Sequence, residues 1–445
     1  MKRKSGKLFL ILAIMAAGSV HAQDKKVLTL DEAIGLSLKN SHQLKGDKAK
    51  IDEATAAIRE ATDKRLPGAT VSGSYIRLNS ANFDLKTKNN NSSGGSSSNG
   101  TPSINQAAYG LLNISLPIYS GGKIKYGIES SRYLAEAVKL DADVDRDQVI
   151  QNAIEAYANL FRAKAAVGLV KENLGQSQQR VKDFSNLEKN GLLARNDLLK
   201  AQLQSSNLEL NLLDAENNAQ YANLNMNLML GLPDNTELVM DTTGIIKKDD
   251  SRTLEEFVQA AKNNRKDMAA LELRKKSAET SIKSTKADML PSLNLTGGYI
   301  AADVPHVFSV TNALNAGVGV SYNIASLWKT KAKVQQAEAR MQEMQANQAT
   351  LDDNIRLQVN KSYLNLISNR KKIEVNTTAV AQAEENYRIV KNKFDNSLAT
   401  TTDLLEADVA QLQARLNFVL ARADAFVSYH KLLQTAGILA NDLKK

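Results

Sequence analysis

The chain has 445 residues, 24% charged and 43% hydrophobic, enough for a sizeable core and too patterned for disorder. Its formal net charge of +9 is spread thinly, with no basic block interleaved with aromatics, so nucleic acid is not an expected partner. Aromatics at 5% are sparse for a compact enzyme, and cysteine is absent, so stability must come from packing and a lipid-modified N-terminal cysteine is not expected.

Residues 1–22 read as a secretory signal. Lys2, Arg3, Lys4 and Lys7 form its basic region, Leu8 to Ala17 its apolar one, and Val20-His21-Ala22 a small-residue cleavage site. The apolar run is too short for a spanning helix, which needs about 20 residues, and no later segment is long enough. Removing the signal lowers the net charge from +9 to +5, because it carries four cations and no acid. The expected mature chain is therefore exported without a transmembrane helix.

The mature sequence then repeats itself, residues 23–231 being re-read in 252–445 across a connector at 232–251. Thr29-Leu30-Asp31-Glu32 aligns with Thr253-Leu254-Glu255-Glu256, and Leu66-Pro67 with Leu290-Pro291, both at an offset of 224. Beyond the strands the offset becomes 206, pairing Tyr157-Ala158-Asn159-Leu160 with Tyr363-Leu364-Asn365-Leu366 and Gly231 with Gly437. The difference of 18 measures an insertion in the first copy between Ile76 and Ile114, marked by the Asn/Ser/Gly tract from Lys88 to Gly100, which cannot bury apolar surface and reads as an exposed loop.

Each copy opens with a helix, from about Leu30 to Arg65 and from about Leu254 to Met289, ended by Leu-Pro because the residue before proline avoids helical angles. Two alternating segments follow in each copy, expected as strands at about 69–79 and 108–119, then at about 292–302 and 314–325. Val71, Gly73 and Tyr75 alternate with Ser72 and Ser74; Leu293, Leu295 and Tyr299 alternate with Asn294, Thr296 and Gly298. Within the connector, Glu237 to Met240 has the composition of a short strand.

Long helices come next. Between Gly319 and Gly437 there is neither glycine nor proline, and Val359, Leu366, Ile373, Val380, Tyr387 and Phe394 recur every seven residues. A turn at Asp395–Thr402 interrupts the pattern, and a second seam runs through Leu405, Val409, Leu412, Leu416, Val419, Ala423 and Phe426. The first arm of this hairpin, about Ser326 to Asn396, would be roughly 100 Å long at 1.5 Å per residue, far beyond a globular helix.

Strands polar on one face and apolar on the other, in an exported chain without a spanning helix, fit a barrel whose apolar face meets lipid. Four strands do not close one, so at least two chains would be needed. The alternative is a soluble pair of hairpins capping a helical stalk.

The duplicated order of helix, two strands, long helix, tip and return helix resembles the TolC-type outer-membrane efflux protein family. Its local marks are the two Leu-Pro steps, Pro117-Ile118-Tyr119-Ser120-Gly121-Gly122, and Asp-Leu-Leu at each tip, at Asp197 and Asp403. The resemblance covers essentially the whole mature chain. It implies a mainly α fold with a small β part: long helical hairpins plus four strands per chain, assembled as a homotrimer with a 12-stranded barrel in outer-membrane lipid and a periplasmic α-barrel. It implies a channel of a tripartite efflux or type I secretion system, partnered by a periplasmic adaptor and an inner-membrane pump of RND or ABC type. A trimeric coiled-coil scaffold or adhesin without a pore is the competing class.

The resemblance also assigns the expected site residues. Gly191, Leu192, Leu193, Ala194 and Arg195 form one tip, and Ser397, Leu398, Ala399 and Thr400 the other, where the adaptor would dock. Plain helix turns that use leucine as a staple are the alternative there. Asp403 and Glu406, with Asn196 and Asp197, would line the periplasmic entrance, although Asp403 followed by Glu406 also fits a helix N-cap with its partner at the third helical position. No enzyme, cofactor or metal site is expected, because His21, His42, His306 and His430 are scattered and no catalytic motif appears.

Overall fold

The computed structural model describes residues 25–81, 104–241, 251–305 and 308–442. The signal segment and the Asn/Ser/Gly tract lie outside the described residues. In chain order the elements are β1 (Lys25–Leu28), α1 (Leu30–Asn40), α2 (His42–Asp63), β2 (Gly68–Ala81), β3 (Ile104–Tyr119), α3 (Lys123–Lys189) and α4 (Arg195–Leu230). There follow β4 (Glu237–Met240), α5 (Leu254–Asn264), α6 (Lys266–Lys286), β5 (Ser292–Val304), β6 (Phe308–Ser321), α7 (Ser326–Asp395), α8 (Thr401–Thr435) and α9 (Leu439–Asp442). The chain divides into two compact units, one of 49–139 and 269–348, the other of the remaining residues.

In the first unit β2, β3, β5 and β6 form an antiparallel sheet in that order, so β2 and β6 are its edges. The register sorts the side chains by face. Val71, Leu112, Tyr299 and Leu314 lie in one row across the four strands, and Ala69, Ile114, Gly297 and Ala316 in the next row on that face. Leu116, Leu295 and Val318 extend the same face. The opposite face carries Thr70, Asn113, Gly298 and Asn315, with Ser115, Thr296 and Gly317 beside them. Farther from the helices this polar face takes up Leu111 and Ile300, so alternation is less strict than the sequence pattern suggests.

Strand β6 runs from Phe308 to Ser321, earlier than the expected 314–325. Tyr322 to Ala325 belong instead to the turn into α7, where Ser326 Oγ and its backbone N–H both donate to Asn323 O, at 2.6 and 2.9 Å. At the end of β3 the register shifts between Pro117 and Tyr119, leaving Ile118 outside the alternation.

In the second unit the expected opening helices are each broken once. Ser41 adopts φ −55, ψ 120 and Arg265 φ −67, ψ 123, 224 residues apart as the repeat requires. Ser41 Oγ accepts from Leu44 N at 3.3 Å, and Asp267 Oδ1 accepts from Met268 N at 3.0 Å. Side-chain acceptors thus start a new helix where neither glycine nor proline marks a break. Both helix starts are capped: Thr29 Oγ1 accepts from Glu32 N, and Thr253 with Glu256 forms a capping box.

The core of this unit gathers around a parallel pair, β1 with β4. Leu28 and Leu238 from that pair are buried against Ile154, Tyr157, Met226, Phe257 and Leu432. Each such side chain contributes about 1.5–3 kcal/mol on burial. The Tyr157 hydroxyl lies 2.6 Å from Asp241 O and 3.2 Å from Leu28 O, tying α3 to both strands, and burial followed by the Asp241 charge pushes its pKa up to about 12. Asn223 and Asn227 on α4 donate to Thr236 O at 2.7 and 2.8 Å, fixing the connector.

Candidate functional site

The two helical hairpins of the second unit end in turns of the same construction. Each long helix stops in a left-handed residue, Gly191 at φ 71 and Ser397 at φ 62, 206 residues apart. Gly191 N donates to Glu188 O and Leu192 N to Leu187 O, both at 2.9 Å; Ser397 N donates to Phe394 O at 2.9 Å and Leu398 N to Lys393 O at 2.7 Å. This crossed pair of bonds satisfies the last carbonyls of each helix. The residue after the left-handed one commonly packs back on the helix, yet Leu192 is 74% and Leu398 76% exposed. Leu193 does the packing: it is half-buried in a cluster with Phe184, Leu198, Ala201 and Leu404.

That cluster joins the two hairpins, with Phe184 and Phe394 stacked at 5.3 Å between ring centroids. Lys200 adds a polar tie, reaching Asp197 Oδ1 at 3.5 Å and Thr402 Oγ1 at 3.1 Å. Arg195 pairs with Glu188 at 3.7 Å, and Ala194 stands at the N-cap of α4 without a side-chain bond. Asn196 is exposed and Ala399 half-buried.

Return helix α8 is capped differently. Thr400 Oγ1 accepts from Asp403 N at 3.2 Å, while Asp403 Oδ2 accepts from Thr400 N at 2.9 Å and from its hydroxyl at 2.7 Å. Those bonds, the backbone one first, hold the Asp403 carboxyl below the usual carboxylate range. Thr400 is thus the N-cap and Asp403 its partner at the third helical position, where the sequence pattern suggests Asp403 as the N-cap and Glu406 as its partner; Asp403 is also fully exposed. Glu406 is exposed one turn further on, with no ion pair among the described residues. Acidity at the first tip is neutralised by Lys200; at the second it is not.

Behind this cluster lies a charge pair that sequence reasoning missed. Arg180 of α3 and Asp408 of α8 meet at 3.0 Å, 8% and 0% exposed. Asn173 Nδ2 donates to the other Asp408 oxygen at 3.1 Å, and Arg180 Nη2 to the Tyr387 hydroxyl at 3.3 Å. Burial works against the charged guanidinium, but its hydrogen bond to Asp408, that carboxylate's charge and Tyr387 together hold its pKa above the ordinary value. The available sequence signal was position: Asp408 follows Leu404 by four, on the face of α8 that meets the other hairpin.

The family profile described as Outer membrane efflux protein matches residues 33–232 and 257–437, both copies of the repeat. The chain belongs to that family. It is an outer-membrane efflux protein, a transport protein that extends into the periplasm of a Gram-negative bacterium. Among curated relatives it is 28% identical over 347 residues to the outer membrane efflux protein BepC of Brucella suis, covering 77% of this chain and 75% of that one. It is 22% identical to the outer membrane protein TolC of Vibrio cholerae over 42% of each. Among solved structures, the Campylobacter jejuni CmeC outer membrane channel superposes with a TM-score of 0.76 at 17% identity, over 93% of this chain and 88% of that one. The Neisseria gonorrhoeae MtrE outer membrane channel gives 0.70 at 16% identity, over 92% and 89%.

Proposed function

We propose that three copies of this chain close one 12-stranded barrel, and that their helical hairpins form a tunnel through which an inner-membrane pump expels its cargo. The observation that carries this is the sheet itself. Its first face is apolar row after row, its second is largely Ser, Thr, Asn and Gly near the helices, and its edges β2 and β6 have no partner in the described chain. An apolar face suits lipid, a polar face suits a water-filled interior, and joining β6 of one copy to β2 of the next removes every edge. The half-exposed seam of α8, with Val409, Leu412 and Leu416, fits cover by a neighbouring copy.

In this reading the tips take the periplasmic adaptor. Leu192 and Leu398 are large apolar side chains in water at the ends of rigid hairpins, a placement that suits a partner. Asp403 and Glu406 add acidic charge beside them, which in three copies would favour cations at the entrance. Efflux is the function that the name of the BepC relative supports for this chain. The assembly is tested by mass photometry of detergent-extracted mature protein: a complex of three chains is expected, and a stable monomer overturns the proposal.

A further inference from the structure

The helices leave the four-stranded sheet from one rim, and cations crowd that rim. Residues 63–66, 120–126, 283–291 and 322–333, which flank the four strand ends, hold nine Lys and Arg against two carboxylates, Asp63 and Asp288. Each of four helices brings its share. Lys64 and Arg65 follow α2, Lys123 and Lys125 open α3, Lys283 and Lys286 close α6, and Lys329, Lys331 and Lys333 open α7. All nine are exposed. Asp288 takes Lys123 at 2.7 Å and Lys333 at 3.9 Å, and Glu338 takes Lys286 at 3.6 Å. Among the described residues Lys64, Arg65, Lys125, Lys283, Lys329 and Lys331 form no ion pair.

Exposed apolar side chains stand directly beside them. Ser326, Thr330 and Val334 are the buried face of the first turns of α7, so Leu327 and Trp328 point away from the sheet's own helices, and Trp328 is 62% exposed. Ile118, Tyr119, Tyr322 and Ile324 continue this girdle at the ends of β3 and β6, and Leu66 adds to it after α2. Aromatic side chains bordered by lysines, between an apolar sheet face and a polar helical region, match the chemistry of a bilayer interface.

We infer that this rim is a docking surface for the anionic phospholipid headgroups of the periplasmic leaflet. The inference rests on the barrel reading, which places the helical rim at that leaflet. The rings sit at headgroup depth and the lysines reach the phosphates, so the surface fixes how deep the barrel rides. Asp288 and Glu338 hold Lys123, Lys333 and Lys286 in place, and the six unpaired cations supply the attraction.

The test uses the full mature chain in neutral detergent, titrated with phosphatidylglycerol or phosphatidylcholine, with retained lipid counted by native mass spectrometry. One variant carries Lys64→Gln, Lys125→Gln, Lys329→Gln and Lys331→Gln; a control carries Lys371→Gln, Lys372→Gln, Lys391→Gln and Lys393→Gln, far along α7. Wild type and control should prefer phosphatidylglycerol, and the rim variant should lose that preference on the order of tenfold at low salt, with the difference shrinking as salt rises. Equal preference in rim variant and wild type overturns the inference. Conductance in neutral bilayers separates the other failures. A rim variant that keeps its lipid preference but changes ion selectivity places these lysines in the aqueous passage and overturns it too. A wild type that inserts but conducts nothing removes the barrel reading on which the inference depends.

Discussion

Removing Asp408 should be among the most damaging single changes outside the core. The perturbation is Asp408→Ala, which leaves the Arg180 guanidinium, 8% exposed, without its counterion. Breaking one side of a buried pair costs about 3–5 kcal/mol, and the stranded Asn173 amide adds about 1 kcal/mol. Arg180→Met should cost about as much by stranding the carboxylate instead. The double variant Arg180→Met, Asp408→Leu should recover most of the loss, since an apolar pair of similar volume replaces ions whose desolvation was already expensive. In a chain of this size each kcal/mol corresponds to about 1–2 °C, so the single variants should melt roughly 5–10 °C early by far-UV circular dichroism. An Asp408→Ala protein melting within about 2 °C of wild type would show that Arg180 and Asp408 do not stabilise the fold as a buried ion pair. So would a double variant as unstable as the two single losses added together.

Three further outcomes follow from the tips. Leu192→Glu with Leu398→Glu should abolish export in a drug-susceptibility assay while the assembled complex survives extraction; loss of assembly would make these leucines staples. Ser397→Gly should stabilise the chain by about 0.5–1 kcal/mol, because Ser397 holds φ 62 where its counterpart is Gly191, and a lowered melting temperature would contradict the strain. Asp403→Asn with Glu406→Gln should lower cation selectivity in planar bilayers. Because the Asp403 carboxyl titrates below the usual carboxylate range, its charge and its capping bonds persist through mild acid and disappear only as the pH falls through that lowered pKa. Selectivity that already collapses at about pH 5 would show that Asp403 does not carry it.

Much of this architecture was legible because it is periodic. The six seam residues from Val359 to Phe394 are all buried or half-buried, as a seven-residue repeat demands. Strand alternation survives as a two-faced sheet, and the offset of 206 carries the left-handed residue of one tip onto the other. What escaped was non-local or unmarked. The breaks at Ser41 and Arg265 rest on side-chain acceptors that also occur inside intact helices. Strand β1 has four residues and a partner more than 200 positions away, so nothing nearby announces it. Arg180 and Asp408 each look like solvated helix charges until the packing of the two hairpins brings them together. At the tips, composition indicated exposed apolar residues, but only the geometry separates Leu193, which packs, from Leu192, which does not.

Whether copies of this chain join their sheets into one open passage is decided by single-channel recording of the purified mature protein in a planar bilayer. Stepwise, uniform conductance increments are predicted, each from one inserted complex of three chains. Protein that inserts into the bilayer as trimers yet passes no current would contradict such a passage.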